Sequence, residues 1–269
     1  MDFVSLAALV HSLPEGFTDA TWLQTVLPQH WGGYATPGLR AWSVGGVQDN
    51  ETLVQSRPIV RDPRADFLAD LLRVPTQTTL AAHSVRPTGP DWPPGHGEAD
   101  RPLPAIAMTR FQRWVGVRAE SGLDEGARAA LALPDFLTRS ATGQSGDRES
   151  VVFGFLAALH TEGLLGKAYT TPAQIRRALA LLDERLGRPE RVNVMVCDGR
   201  TVGVLHRGGR FLLLEPPAPS RPRTIQPHAR LSALLLHDHQ DGPAAPGASL
   251  IEPGIFTTTA RQPGVLERG

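Results

Sequence analysis

Val192-Asn193-Val194-Met195-Val196-Cys197-Asp198-Gly199-Arg200-Thr201-Val202-Gly203-Val204-Leu205-His206 is a pair of apolar runs separated by an Asp-Gly step. Asp-Gly between two such runs is a strong short-range hairpin signal, because glycine supplies the positive φ that a tight turn needs. The spacing predicts strands over Val192–Cys197 and Thr201–His206. Just upstream lies the clearest helix in the chain. Thr171 suits the N-cap, Pro172 the first helical position, and Ile175, Leu179, Leu182 and Leu186 recur at helical spacing until Gly187-Arg188-Pro189 stops them. Before it, the segment from Glu149 to Thr161 sets Val152, Phe155, Leu156 and Leu159 on one helical face.

Downstream, Gly208-Gly209 turns into a strand from Phe211 to Glu215, and Leu231 to Leu236 reads as the last strand. Residues 237–269 are rich in Pro, Gly and Thr and read as an extended or partly disordered tail. Toward the N-terminus, Thr18 or Asp19 caps a helix carrying Trp22, Leu23, Val26 and Leu27. Strands follow over Leu39–Val47 and Thr52–Val60, about a turn at Gln48-Asp49-Asn50. Asp62-Pro63 opens a helix with Phe67, Leu68, Leu71 and Leu72 on one face. Thr78–Val85 reads as a buried strand, 86–104 as a surface loop, 106–117 as further strand, 123–137 as helix and 140–148 as a loop. Strands, two consecutive helices and then strands again predict a layered α/β (α+β) domain over residues 1–236 with largely antiparallel pairing.

The 269 residues suffice for a sizeable core, and 41% are hydrophobic, which sets the chain apart from disordered proteins. Lys plus Arg and Asp plus Glu both total 27, so no global field attracts nucleic acid or an anionic membrane. Arg221 and Arg223 are too few, with no aromatic between them, to make a nucleic-acid surface. One cysteine, Cys197, precludes an intramolecular disulfide. The apolar run from Val4 to Val10 follows Asp2, where a signal peptide would carry positive charge, and nothing approaches the length of a membrane span. The expected location is the cytoplasm, with neither nucleic acid nor membrane as partner.

Several stretches together resemble the class II glutamine amidotransferases, and nearest among them the ergothioneine-pathway branch that removes a γ-glutamyl group. Val192-Asn193-Val194-Met195-Val196-Cys197-Asp198-Gly199 is similar to the family's Leu-Asn-Leu-Leu-Leu-Thr-Asp-Gly hairpin. Ala41-Trp42-Ser43-Val44-Gly45 resembles its Gly-Trp-Gly-Val-Gly strand, and Leu80 to Arg86 its strand ending in Val-Arg. Phe111 to Gly122 resembles its Arg-Trp strand ending in Asn-Gly. Asp147-Arg148-Glu149 stands where the family has Asp-Ser-Glu, and Val4 to Leu13 is similar to the segment just after the family's first strand. The resemblance implies the N-terminal-nucleophile hydrolase fold, a four-layer αββα sandwich of two mainly antiparallel sheets.

The departures bear on activity. The family's chemistry requires an N-terminal cysteine whose thiolate attacks the amide while its own α-amine moves the proton. Here Asp2 stands near that place, and the alignment at Val4 leaves the cysteine-bearing strand out. The family's Asn-Gly oxyanion donors become Ser121-Gly122. By resemblance, Arg86 matches the arginine that grips the substrate α-carboxylate and Asp147 the carboxylate that holds its α-amine. The resemblance thus implies an amino-acid clamp without its nucleophile: a pseudoenzyme with no catalytic residues, metal or cofactor, which binds a γ-glutamyl or glutamine-like ligand, a partner enzyme or further copies of itself. Two alternatives stay open, an active amidohydrolase whose nucleophile lies upstream of the given start, and a structural subunit of a larger assembly. Plainer readings stand beside the ligand roles. Arg86 reads equally as a loop anchor, Asp147 as a helix cap, Ser121 as a turn residue and Cys197 as a small buried hydrophobe. Trp42 and Trp114 read as core aromatics, and His237 with His239 as part of a solvated tail or, less simply, as metal ligands.

Overall fold

The computed structural model describes residues 3–12, 20–31, 38–61, 64–74, 76–87, 108–120, 125–131, 133–142, 151–187, 192–216, 232–238 and 247–269. The hairpin predicted from Val192 to His206 is present as β7 (Val192–Cys197) and β8 (Thr201–His206). Cys197 pairs with Val202, so the loop itself is Gly199-Arg200, with Gly199 at φ 89°. Glycine at the first central position suits a type II′ turn. Asp198 stands one residue earlier than a turn residue would. Its Oδ1 accepts from the backbone N–H groups of Arg200 and Thr201 and fastens the turn from outside.

Around this hairpin the described residues build two sheets. The smaller has the order β13-β12-β8-β7-β6-β5, with β5 at Thr109–Phe111, β6 at Trp114–Glu120, β12 at Gly254–Thr259 and β13 at Gln262–Arg268. The larger has the order β11-β9-β10-β1-β4-β2-β3. Its strands are β1 (Phe3–His11), β2 (Gly38–Gln48), β3 (Glu51–Arg61), β4 (Thr78–Pro87), β9 (Arg210–Leu214), β10 (Ser232–Asp238) and β11 (Ala248–Leu250). Every strand pair among the described residues is antiparallel.

Alternation of side chains sorts three cores from these strands. Leu6, Ala8 and Val10 of β1 meet Val115 and Val117 of β6 and Met195 of β7 between the sheets. Ala7 and Leu9 point the other way, under α1 (Ala20–His30) and α2 (Arg64–Arg73), with Leu23, Leu27, Phe67 and Leu71. Val192, Val194 and Val196 of β7 lie under α5 (Val151–Thr161) and α6 (Pro172–Leu186). Two shorter helices, α3 (Glu125–Ala130) and α4 (Asp135–Thr142), precede α5. The layers run helix, sheet, sheet, helix, which is the expected αββα sandwich. Each fully buried leucine or valine contributes roughly 1.5–3 kcal/mol. α6 begins as its sequence predicts. Thr171 and Gln174 form a capping box, with the N–H of Gln174 donating to Thr171 Oγ1 at 3.3 Å and that of Thr171 donating to Gln174 Oε1 at 2.9 Å.

Two expectations are corrected. The run Val4–Val10, expected just after the family's first strand, itself lies within β1, a central strand hydrogen-bonded to both β4 and β10. Both of its faces are covered, so apart from Ser5 the run is apolar and lacks the alternation that marks a half-buried strand. Residues 247–269 are not an extended tail. β11 extends the larger sheet beside β9, and β12 pairs with β8 from Gly254↔His206 to Thr259↔Thr201. Ile251 and Phe256 enter the inter-sheet core. The threonines that made this region look solvated are strand formers here, and Thr257 and Thr258 are buried.

Candidate functional site

Two contacts between the sheets fix which strand ends lie together. At one end Cys197, the last residue of β7, directs its thiol at the carbonyl of Thr78, the first residue of β4, 3.9 Å away. At the other end the chain crosses from β8 to β9 through Arg207-Gly208-Gly209. There the ring of His206 lies 5.1 Å from Phe211 and 6.4 Å from His237. Asn193 Oδ1 holds this crossover, accepting from the N–H of Arg207 at 3.0 Å and of Gly208 at 3.4 Å. His206 Nδ1 lies 3.0 Å from the same oxygen, and His237 Nε2–H donates to the Gly208 carbonyl at 3.2 Å. This second end therefore gathers the start of β7, the end of β10, the start of β1 (Leu6↔His237) and the ends of β6 (Ala119↔Asn193) and β4 (Phe3↔Val85).

Arg86 stands at this second end. It is half-buried, pairs with Leu39 of β2 and lies one residue past the Val85–Phe3 pair. Leu80 and Ala82 belong to the inter-sheet core and Ala81 to the outer one, so alternation puts Arg86 on the inner face, toward the smaller sheet. β6 runs to the same end and stops at Glu120, directly before Ser121 and Gly122. Ser121, Gly122 and Asp147 lie outside the described residues, as do Asp2, Arg221, Arg223 and His239.

Cys197 sits at the opposite end. Arg86 is eight residues along β4 from Thr78 (86 − 78), or about 26 Å at the usual strand rise. The thiol is fully buried, and that burial pushes its pKa up to about 12, so it remains protonated and is no nucleophile. Beside it, Arg113 and Asp198 form a buried pair 3.5 Å apart. Arg113 also donates to the Ala168 carbonyl at 3.0 Å and to Thr170 Oγ1, tying the loop before α6 to the hairpin. Burial raises the Asp198 pKa and lowers that of Arg113, while each charge favours the other's ionised form.

Three further placements complete the site residues read from the sequence. Trp42 is buried beneath α2, donating from Nε1 to Asp70 Oδ2 at 3.0 Å, and Trp114 packs edge-on to Phe155 of α5. His237 lies within β10 and is 2% exposed, which replaces the expected solvated position. Among the described residues no three His, Cys, Asp or Glu side chains converge as a metal site would require. The same residues contain no helix long and apolar enough to cross a membrane.

The sequence reading missed a buried polar group on the outer face of the larger sheet. Arg40 donates to His83 Nε2 at 3.2 Å, and the His83 ring is walled by Trp31, Phe67 and Trp42 at 5.3, 5.5 and 6.5 Å. Burial first, and the Arg40 charge second, bring its pKa down to about 3. The available signal was a histidine interrupting the apolar run from Leu80 to Val85.

No protein-family model matches the chain, and no curated protein matches it in sequence. Its backbone is similar to a glutamine aminotransferase class-II domain protein from Silicibacter pomeroyi, with 15% identity, 96% of each chain covered and a TM-score of 0.47. It is also similar to a predicted glutamine amidotransferase from Pseudomonas aeruginosa, with 11% identity, 97% and 98% covered and a TM-score of 0.48. A third likeness is to glutamine phosphoribosylpyrophosphate amidotransferase from B. subtilis. There the identity is 11% and the TM-score 0.43, and 97% of this chain spans 50% of that one.

Proposed function

We propose that this chain is a glutamine amidotransferase-like protein that binds an amino-acid or γ-glutamyl ligand, or a partner enzyme, and does not hydrolyse glutamine. The observation that carries the reading is the position of Arg86. It stands on the inner face of the larger sheet at the end where β1 begins and β6 runs into Ser121-Gly122. A guanidinium there can clasp a carboxylate in bidentate fashion, and Asp147 would meet the α-ammonium. The motif order from Val4 to Leu236 supports the family and, taken together, the ergothioneine-pathway branch and hence a γ-glutamyl ligand. Against hydrolysis stands the chemistry of Cys197, the one cysteine in the sequence, protonated and at the far end of the sandwich.

The test is direct. Glutamine, glutamate or a γ-glutamyl compound should raise the melting temperature, and Arg86→Ala should remove the effect. Purified protein incubated with glutamine should release no glutamate above an Arg86→Ala control. Turnover in the wild type alone would overturn the non-catalytic reading, and a ligand shift retained by Arg86→Ala would overturn the clamp.

A further inference from the structure

Three hairpin turns of the smaller sheet stand side by side at the Cys197 end. Gln112-Arg113 joins β5 to β6, Gly199-Arg200 joins β7 to β8, and Ala260-Arg261 joins β12 to β13. The strand order sets them in one row, and the N–H of Ala260 donates to the Arg200 carbonyl at 2.8 Å. The loop before α6 is tied to this row. Arg113 is buried, pairs with Asp198 and donates to both the Ala168 carbonyl and Thr170 Oγ1. Between those two anchors Tyr169 faces solvent. It is 52% exposed, and among the described side chains it is the one exposed aromatic. The Arg200 guanidinium lies 6.0 Å from its ring centroid. Lys167, Arg200 and Arg261 are exposed too, and none of them forms an ion pair among the described residues.

We propose that Tyr169, Arg200, Lys167 and Arg261 form a docking surface for an acidic segment of a partner protein. Tyrosine and arginine are the residues that protein interfaces concentrate at their anchors. Here the backbone under both is fixed before any partner arrives. Asp198 fastens the Arg200 turn, and Arg113 fastens the loop on each side of Tyr169. A fixed backbone lowers the ordering cost of association. A buried ion pair adds little stability over an apolar pair of the same shape, so the use of Arg113–Asp198 is the position it gives Tyr169. Three cations without acids of their own suit carboxylates, and the ring between them takes an apolar side chain. A protein segment fits this surface better than a nucleic acid. Three cations are few for a phosphate backbone, and the neighbouring β2–β3 turn carries the exposed Asp49 and Glu51. That turn lies close, because a Cβ on Gly199 would meet the Val47 carbonyl at 2.7 Å. The surface is at the opposite end of the sandwich from Arg86, so the inference does not rest on the ligand reading.

Fluorescence anisotropy on the full chain tests this with three labelled probes: a short peptide of glutamates interrupted by leucines, the same peptide with lysine for glutamate, and single-stranded DNA of equal charge. The wild type should bind the acidic peptide about tenfold more tightly than either other probe, and less tightly as salt is raised. Tyr169→Ala and Arg200→Glu should each weaken that binding about tenfold while keeping the wild-type melting temperature. Arg261→Glu gives the same comparison from a second turn should either of those variants fail to fold. Arg86→Ala should leave peptide binding unchanged. Equal binding of the two peptides, tighter binding of the DNA, or acidic-peptide binding that survives the Tyr169 and Arg200 variants overturns the proposal. Loss of binding in Arg86→Ala would put the peptide at the other end of the sandwich and overturns it as well. None of these results bears on a glutamine-induced melting shift, which Arg200→Glu should retain and Arg86→Ala should lose.

Discussion

Lowering the pH from 7.5 to 5 should destabilise this fold through buried histidines, His83 and His206 foremost, and His83→Gln should remove about 2 kcal/mol of the loss. His83 and His206 are each 1% exposed, and their pKa values are brought down from 6.5 to about 3 and about 4. In both cases burial is the leading cause. Arg40 reinforces it at His83, while the Ile251 backbone opposes it at His206. A lowered folded-state pKa means that the unfolded chain binds the proton more readily. The stability these residues contribute is therefore complete above about pH 6.5 and is lost as the pH falls toward 4 and 3. At pH 5 each histidine costs about 2 kcal/mol relative to pH 7.5, a figure that barely depends on the folded value once it lies below about 4. The local slope is about 1.3 kcal/mol per pH unit for each. Asp198, whose pKa burial raises, contributes with the opposite sign, so the informative quantity is the difference between wild type and variant. Glutamine at position 83 can still accept from Arg40 and does not titrate. Urea unfolding followed by tryptophan fluorescence at pH 7.5, 6.0 and 5.0 gives that difference, since Trp31 and Trp42 border the site. Equal pH slopes in wild type and His83→Gln would refute the reasoning.

Two other perturbations follow from the same structure. Asp198→Asn keeps an oxygen for the Arg200 and Thr201 N–H groups but leaves the Arg113 guanidinium buried without its counter-charge. It should lower stability by about 3 kcal/mol, read as a reduced urea midpoint at unchanged m-value. Ending the chain at Asp241 removes β11, β12 and β13, strips one of the two partners from β8 and opens the core at Phe256. That product should be insoluble or lack near-ultraviolet circular dichroism, whereas a dispensable tail would leave both properties intact.

The elements that the sequence showed best are those with a chemical boundary. Thr171-Pro172 at the start of α6 and Gly199 in the hairpin each act through a local conformational requirement, so a single sequence suffices to read them. The elements that it concealed are strands covered on both faces. β1 has Leu6, Ala8 and Val10 against one layer and Ala7 and Leu9 against the other, so nothing in its pattern distinguishes a central strand from any apolar run. β12 erred in the opposite direction. Its Gly254, Thr257, Thr258 and Thr259 look like linker composition, and the strand they form against β8 buries Thr257 and Thr258.

The candidate site divides along the same line. That Arg86 is an arginine suited to a carboxylate can be read from the sequence, but its face cannot, because a shift of one residue in the pairing of β4 would turn it from the inter-sheet space to the helix layer. The register Val4↔Ser84 and Ala41↔Ser84 decides this, and it depends on β1, the strand whose place the sequence obscured. The same register sends His83 outward into the Trp31, Trp42 and Phe67 cage and Ser84 inward beside Arg86. Adjacent polar residues in one apolar run thus have unrelated surroundings. His83 ties the pH dependence of the fold to the outer layer, and Ser84 lies between the sheets on the face of Arg86. A substitution at His83 should therefore change the acid dependence of stability, and one at Ser84 should leave it unchanged.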